Sequence, residues 1–210
     1  LYKLCPNDYA LQKLSSDAFV QGVNMVAVNV GVIGAGYWGR NHVRVFTELK
    51  DANLVKICDI DSAALEQMKK QHGVEVTTNL RQILMDPDIE AVSVATPSIS
   101  HYQIAKALLR AGKHVLVEKP MTTSSKTAEE LVRTADKCGL TLMVGHIFRF
   151  NPAVRFLKRE LKKLGKVRFL AARRLALVPP KRDVGIIMDL AIHDFDVFMY
   201  LLGELPTKVC

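Results

Sequence analysis

The sequence is poor in the features that mark specialised proteins. Its four cysteines, Cys5, Cys58, Cys138 and Cys210, are scattered without a C-x-x-C spacing or a histidine in register, which argues against a disulfide framework and a zinc site. A cytoplasmic setting and no metal are the expectations that follow. No stretch approaches the roughly 20 apolar residues that a membrane helix needs. The greasiest run, Met25 to Ile33, ends in glycines. Leu1 to Asn24 begin without Met and lack a basic region followed by an apolar core, so they do not read as a secretory signal. This leader reads either as upstream sequence before a start at Met25 or as a short helix on Tyr9, Leu11, Leu14 and Phe19.

What is present is ordinary for a globular chain: 210 residues, 49% apolar content and 24% charged, enough to bury a sizeable core without crosslinks. The net charge of +8 comes from one segment, since Arg155 to Arg182 hold eleven Lys or Arg against the single Glu160. Part of that segment is an amphipathic helix, with Ala153, Val154, Leu157, Leu161 and Leu164 at helical spacing, so its lysines read as a solvated face. No aromatic stacking platform or reading motif accompanies them, which argues against nucleic acid as a partner. Arg173 and Arg174 could instead meet an anionic substrate.

From Met25 onward, apolar runs alternate with amphipathic stretches, the rhythm of a doubly wound parallel sheet. Strands are expected at Val26 to Ile33, Leu54 to Cys58, Val74 to Thr77, Ala91 to Ala95, His114 to Val117 and Leu142 to Val144. Helices are expected at Asn41 to Leu49, Ser62 to His72, His101 to Ala111 and Ser124 to Cys138. After Gly145 the rhythm changes. A helix from Ala153 to Leu164, a strand from Lys166 to Leu175, a helix from Asp189 to Leu202 and a strand beginning at Pro206 read as the opening of a second domain. The fold class is therefore α/β, a Rossmann sheet over residues 25–145 followed by an incomplete α+β, open-sheet domain over 146–210.

Gly34-Ala35-Gly36-Tyr37-Trp38-Gly39 follows a strand and opens a helix, the context in which G-x-G-x-x-G binds a dinucleotide. Gly34 serves the turn, Gly36 the approach of the pyrophosphate and Gly39 the packing of helix on strand. Asp59 ends the second strand, where a carboxylate can accept from both ribose hydroxyls. No Arg or Lys follows it to neutralise a 2′-phosphate, so NAD is expected rather than NADP. Thr96-Pro97 and Glu118-Lys119-Pro120 end the next two main strands, at the sheet edge where ligands bind, and a cis peptide before Pro120 is open. Lys119 could hydrogen-bond a substrate hydroxyl or serve in a structural ion pair. Asp189 and His193 share a helix face, and a histidine suits proton abstraction from an alcohol near neutral pH. For an isolated pair at this spacing a structural role is the default.

In this order, the glycine loop, Ala95-Thr96-Pro97, Glu118-Lys119-Pro120 and Asp189-x-x-x-His193 resemble the glucose-fructose oxidoreductase and inositol dehydrogenase family (Gfo/Idh/MocA) from about Val28 to Val209. The resemblance implies an NAD-dependent dehydrogenase with Lys119 on the substrate hydroxyl, His193 as acid/base and Asp189 positioning both. It implies cofactor contacts from Gly34, Gly36, Tyr37, Trp38, Gly39, Asp59, Thr96, Pro97, His101, Glu118 and Lys119. A narrower similarity, carried by Gly145 to Pro152, Arg173-Arg174, Asp183-Val184-Gly185 and Asp189 to Asp194, is to the branch acting on nucleotide sugars. It implies oxidation of the 3-hydroxyl of a UDP-N-acetylhexosamine or its uronic acid, with Arg149, Asn151, Arg173, Lys119, Asp189 and His193 on the substrate. The anionic UDP would give Arg173, Arg174 or Arg182 a partner. A free polyol such as inositol is the alternative substrate, and a non-catalytic NAD-binding protein the alternative role. The family's second domain is longer than the residues after Gly145, so the chain is expected to behave as a fragment of a homo-oligomeric enzyme, with poor solubility and weak turnover.

Overall fold

The computed structural model describes residues 27–175 and 183–208. The leader, Arg182 and Val209 lie outside the described residues. Six parallel strands form one sheet in the order β3-β2-β1-β4-β5-β6: β1 (Val28–Ile33), β2 (Ala52–Cys58), β3 (Glu75–Thr77), β4 (Ala91–Val94), β5 (His114–Val117) and β6 (Leu142–Val144). Strand order reverses beside β1, and this switch point opens a crevice at the carboxyl ends of β1 and β4. The helices are α1 (Tyr37–Glu48), α2 (Ser62–His72), α3 (Leu80–Leu84), α4 (Ser98–Arg110), α5 (Ser125–Cys138), α6 (Pro152–Leu161) and α7 (Ile192–Leu202).

Neighbouring strand residues point to opposite faces, so one strand feeds two cores. Val32 and Ile57 pack with Val43 of α1 and with Leu65 and Met68 of α2. Their neighbours Ile33 and Cys58 pack on the other face with Ile83, Ala105, Leu108, Leu109 and Leu131 from α3, α4 and α5. Local chemistry sets the helix starts: Asp61 accepts from the amides of Ala63 and Ala64, and the Ser124 hydroxyl accepts from Thr127.

Strands and helices through β6 fall within a few residues of their sequence expectation. The five-residue α3 was not expected, being too short for periodicity to reveal, although Asn79 caps it. Beyond Gly145 the regular elements among the described residues are all helical. A 3-10 turn (Ile147–Phe150) precedes α6, and a wide π turn (Ile187–Ala191) leads into α7. The strand expected from Lys166 to Leu175 is a correction: these residues are not in a strand. Their alternating pattern suits one, but a strand needs a paired neighbour, and none of the six described strands pairs with it. Phe169 and Leu175 consequently stand 82% and 83% exposed. No strand begins between Pro206 and Lys208 either. No helix among the described residues is long and apolar enough to cross a membrane.

Ile57 is 0% exposed at the centre of its cluster. Ile57→Ala is expected to cost about 2–5 kcal/mol, read as a lower urea midpoint at unchanged slope. An unaltered midpoint would show that this face contributes little to folding.

Candidate active site

The turn from β1 into α1 separates glycines that the fold requires from one that it does not. Gly34 has φ +103°, and a Cβ there would lie 2.5 Å from the Ala95 carbonyl oxygen. A Cβ on Gly39 would lie 1.8 Å from the Gly34 oxygen, so α1 can reach β1 only without a side chain. Gly36 is different. Its backbone, φ −71° and ψ −165°, suits any residue, and no protein atom lies within 4 Å of a Cβ built there. No side chain caps the start of α1, which leaves its positive end toward an anion. Asp59 steadies the loop, since one carboxylate oxygen accepts from the Ala35 amide and the other from Asp61. Gly36, Tyr37, Trp38, Ala95, Thr96, Pro97, Glu118 and Asp183 line a cavity of about 280 Å³ beside this turn. A groove of about 320 Å³ runs between α4 and α5 along Arg110, Arg133 and Cys138, toward the opposite sheet edge.

At the end of β5 the Lys119–Pro120 peptide is cis. Lys119 is buried, and its Nζ donates to both the Oδ1 and the backbone oxygen of Asp189, each at 2.7 Å. Asp189 lies in the π turn, and His193 follows at the start of α7 with Phe148 edge-on at 4.9 Å. The His193 Nδ1 is buried without a partner among the described residues. Burial first, then the charges of Lys119 and Arg174, push the His193 pKa down to about 4. His146 next to Gly145 has a second orphaned Nδ1, and burial lowers its pKa as well.

Residues 28–146, more than half of the chain, match the model of the oxidoreductase family with an NAD-binding Rossmann fold (GFO_IDH_MocA). The chain belongs to this family. Over 186 residues it is 32% identical to UDP-N-acetylglucosamine 3-dehydrogenase of Acidithiobacillus ferrooxidans, covering 88% of this chain and 58% of that protein. It is also 32% identical over 191 residues to inositol 2-dehydrogenase of Rhizobium meliloti, with the same two coverages of 88% and 58%. The solved structure of the Acidithiobacillus enzyme superposes with a TM-score of 0.79, covering 88% of this chain and 60% of that one. The chain thus spans a little over half the length of the curated relatives it matches.

The family's cofactor is NAD, and the residues present fit it: an uncapped helix start, open space at Gly36 and a carboxylate at the end of β2. Tyr37 and Trp38 are 79% and 37% exposed on the cavity wall, where Thr96, Pro97 and Glu118 join them. His101 is fully buried, with its two ring nitrogens each 2.8 Å from a backbone oxygen, of Thr96 and of Pro120, so it braces both loops from beneath. Arg149 is clamped on Asp196 by its Nε, and Asn151 accepts from Ala153 as the cap of α6. Both expected substrate residues therefore have structural partners. Arg173 is exposed, whereas Arg174 pairs with Asp194 at 2.9 Å over the Phe148 ring and is felt at His193. Sequence reasoning missed His42, Asp183 and the burial of His146. Asp183 accepts from the Ser98 amide at the start of α4, a contact 85 residues apart that no local pattern announces.

Two outcomes follow. Gly36→Val is expected to leave stability within about 0.5 kcal/mol while weakening NAD binding at least about tenfold, measured by calorimetry; equal losses in both would return Gly36 to a folding role. His193 is expected to titrate near 4 by NMR. Its native pKa lies below the ordinary 6.5, so the unfolded chain takes the proton first. This contribution to stability is complete above about 6.5 and is lost as pH falls toward 4. Lys119→Gln should raise the value without restoring 6.5, because burial is the larger cause; no change would remove Lys119 from the site's field.

Proposed function

We propose that this chain carries the cofactor-binding and reacting residues of an NAD-dependent dehydrogenase that oxidises a ring secondary alcohol of a sugar to a ketone. The observation that supports it is the buried Lys119–Asp189 pair at 2.7 Å, beside a histidine whose pKa is pushed to about 4. Lys119 donates to the substrate hydroxyl oxygen and fixes the alcohol at the sheet edge. Asp189 holds the ammonium through two of its oxygens and so aims it. His193, neutral at physiological pH, takes the hydroxyl proton as the carbonyl forms. Phe148 edge-on against the imidazole and the buried surroundings keep water from competing for that proton. When bound, the nicotinamide supplies the acceptor for the hydride that leaves the same carbon. Asp59 takes the adenosine ribose, the placement that the end of β2 offers.

For the substrate, the reading is the 3-hydroxyl of a UDP-N-acetylhexosamine or its uronic acid. Arg174 beside His193 and exposed Arg173 offer charge-assisted contacts to a diphosphate. The similarity to UDP-N-acetylglucosamine 3-dehydrogenase lends it support. A free polyol is the second reading, favoured by equal identity to inositol 2-dehydrogenase.

In the full-length protein, Lys119→Ala and His193→Ala are each expected to lower NADH formation by about 10²- to 10⁴-fold with little change in NAD affinity. Retained turnover in both variants would remove the roles given to these two side chains, and NAD binding without NADH formation from any sugar or polyol by the unaltered protein would leave an NAD-binding protein without this chemistry. UDP should compete with the sugar and protect the chain thermally. NADH formation from myo-inositol, with no effect of UDP, would replace the nucleotide-sugar reading by the polyol one.

A further inference from the structure

A buried network on the cofactor side of the sheet has no part in the chemistry above. His42, midway along α1, reaches the ends of two strands: its Nδ1 is 2.7 Å from the Ser93 Oγ of β4 and its Nε2 is 3.0 Å from the Glu118 Oε1 that follows β5. Ser93 is 1% exposed and Glu118 5%. A carboxylate only accepts, so Nε2 carries the hydrogen and Nδ1 receives the Ser93 hydroxyl proton's bond; one neutral tautomer satisfies both contacts. The second Glu118 oxygen accepts from the Lys119 amide at 3.1 Å. Gly145 closes the remaining side, since a Cβ there would come within 3.0 Å of Oε1 and 3.3 Å of the carboxyl carbon. The carboxylate is thus fixed from three directions while still lining the cavity with Gly36, Trp38 and Thr96. Its charge is felt as far as His146 and His193.

In this strand order a dinucleotide spans the switch point. With the adenosine half over β2 and Asp59, the nicotinamide half lies over the ends of β4 and β5. Oxidised nicotinamide is a cation and the reduced ring is neutral. A carboxylate held on that side attracts only the oxidised form, and a poorly solvated setting strengthens the attraction. We propose that His42 is a positioning residue that holds the Glu118 carboxylate on the nicotinamide side of the cleft, so that NAD⁺ is bound in preference to NADH. The proposal rests on the cleft being the NAD site and is independent of the identity of the sugar.

Calorimetric titration of the chain with NAD⁺ and NADH tests it, with circular dichroism and Tm recorded for each variant. Glu118→Gln removes the charge and should shift the affinity ratio toward NADH by about three- to tenfold. His42→Asn places its amide oxygen near the Nδ1 position, where it can accept from Ser93, but cannot reach Glu118, and should shift the ratio in the same direction. His42→Gln places its amide nitrogen near the Nε2 position, and should hold the ratio within about twofold of the original. A folded His42→Asn variant with an unchanged ratio, or one that weakens both forms equally, overturns the positioning role while leaving the NAD site intact. Binding of neither form by the unaltered chain removes the site reading, and this proposal with it.

Discussion

Lys119 and Asp189 stand 70 residues apart in the chain and 2.7 Å apart in the fold, and both are buried. Two charges taken out of water are costly unless each finds the other with further hydrogen bonds, and the second contact, to the Asp189 backbone oxygen, helps meet that condition. The ion pair therefore fixes more than itself. It ties the carboxyl edge of the parallel sheet to the π turn ahead of α7, and the turn in turn sets where His193 stands. Substituting one partner would leave a buried charge uncompensated, which is why this contact constrains the geometry of every residue around it.

Around that anchor the polar side chains divide into those that face the cleft and those that hold it open. His101 bridges the ends of β4 and β5 through two backbone oxygens, and His42 bridges their side chains through Ser93 and Glu118. Arg149 and Arg174 bind Asp196 and Asp194 of α7, pinning that helix to the segment that follows β6. These contacts leave two imidazole nitrogens, on His146 and His193, buried and unpaired among the described residues. A native fold pairs nearly all of its buried polar atoms, so orphaned ones near one lysine are consistent with the proposed place of the substrate.

The electrostatics follow the same division. Burial and the ammonium of Lys119 keep His193 neutral, whereas Asp59 and Glu118 place carboxylates at the ends of β2 and β5, on either side of the glycine turn. The uncapped start of α1 offers the complementary sign between them. An elongated ligand with a central anion and two polar ends meets a matching partner at each position.

Much of this was legible in the residues themselves. The alternation of apolar strands with amphipathic helices fixed the sheet up to Val144, and the glycine turn, Asp59 and Glu118-Lys119-Pro120 announced their places because each belongs to the end of a local element. Periodicity failed at Lys166 to Leu175, since an alternating pattern makes a strand only where a neighbour pairs its backbone. Sequence also could not separate Asn151, a helix cap, from a ligand contact, nor show that Gly36 alone of the three motif glycines has room for a side chain. Those distinctions depend on what surrounds each side chain. The chain's local chemistry determined the elements and the loops that bear the reactive groups; the tertiary structure decided which groups met, because burial, pairing and the open space at the cleft arise only when distant segments pack together.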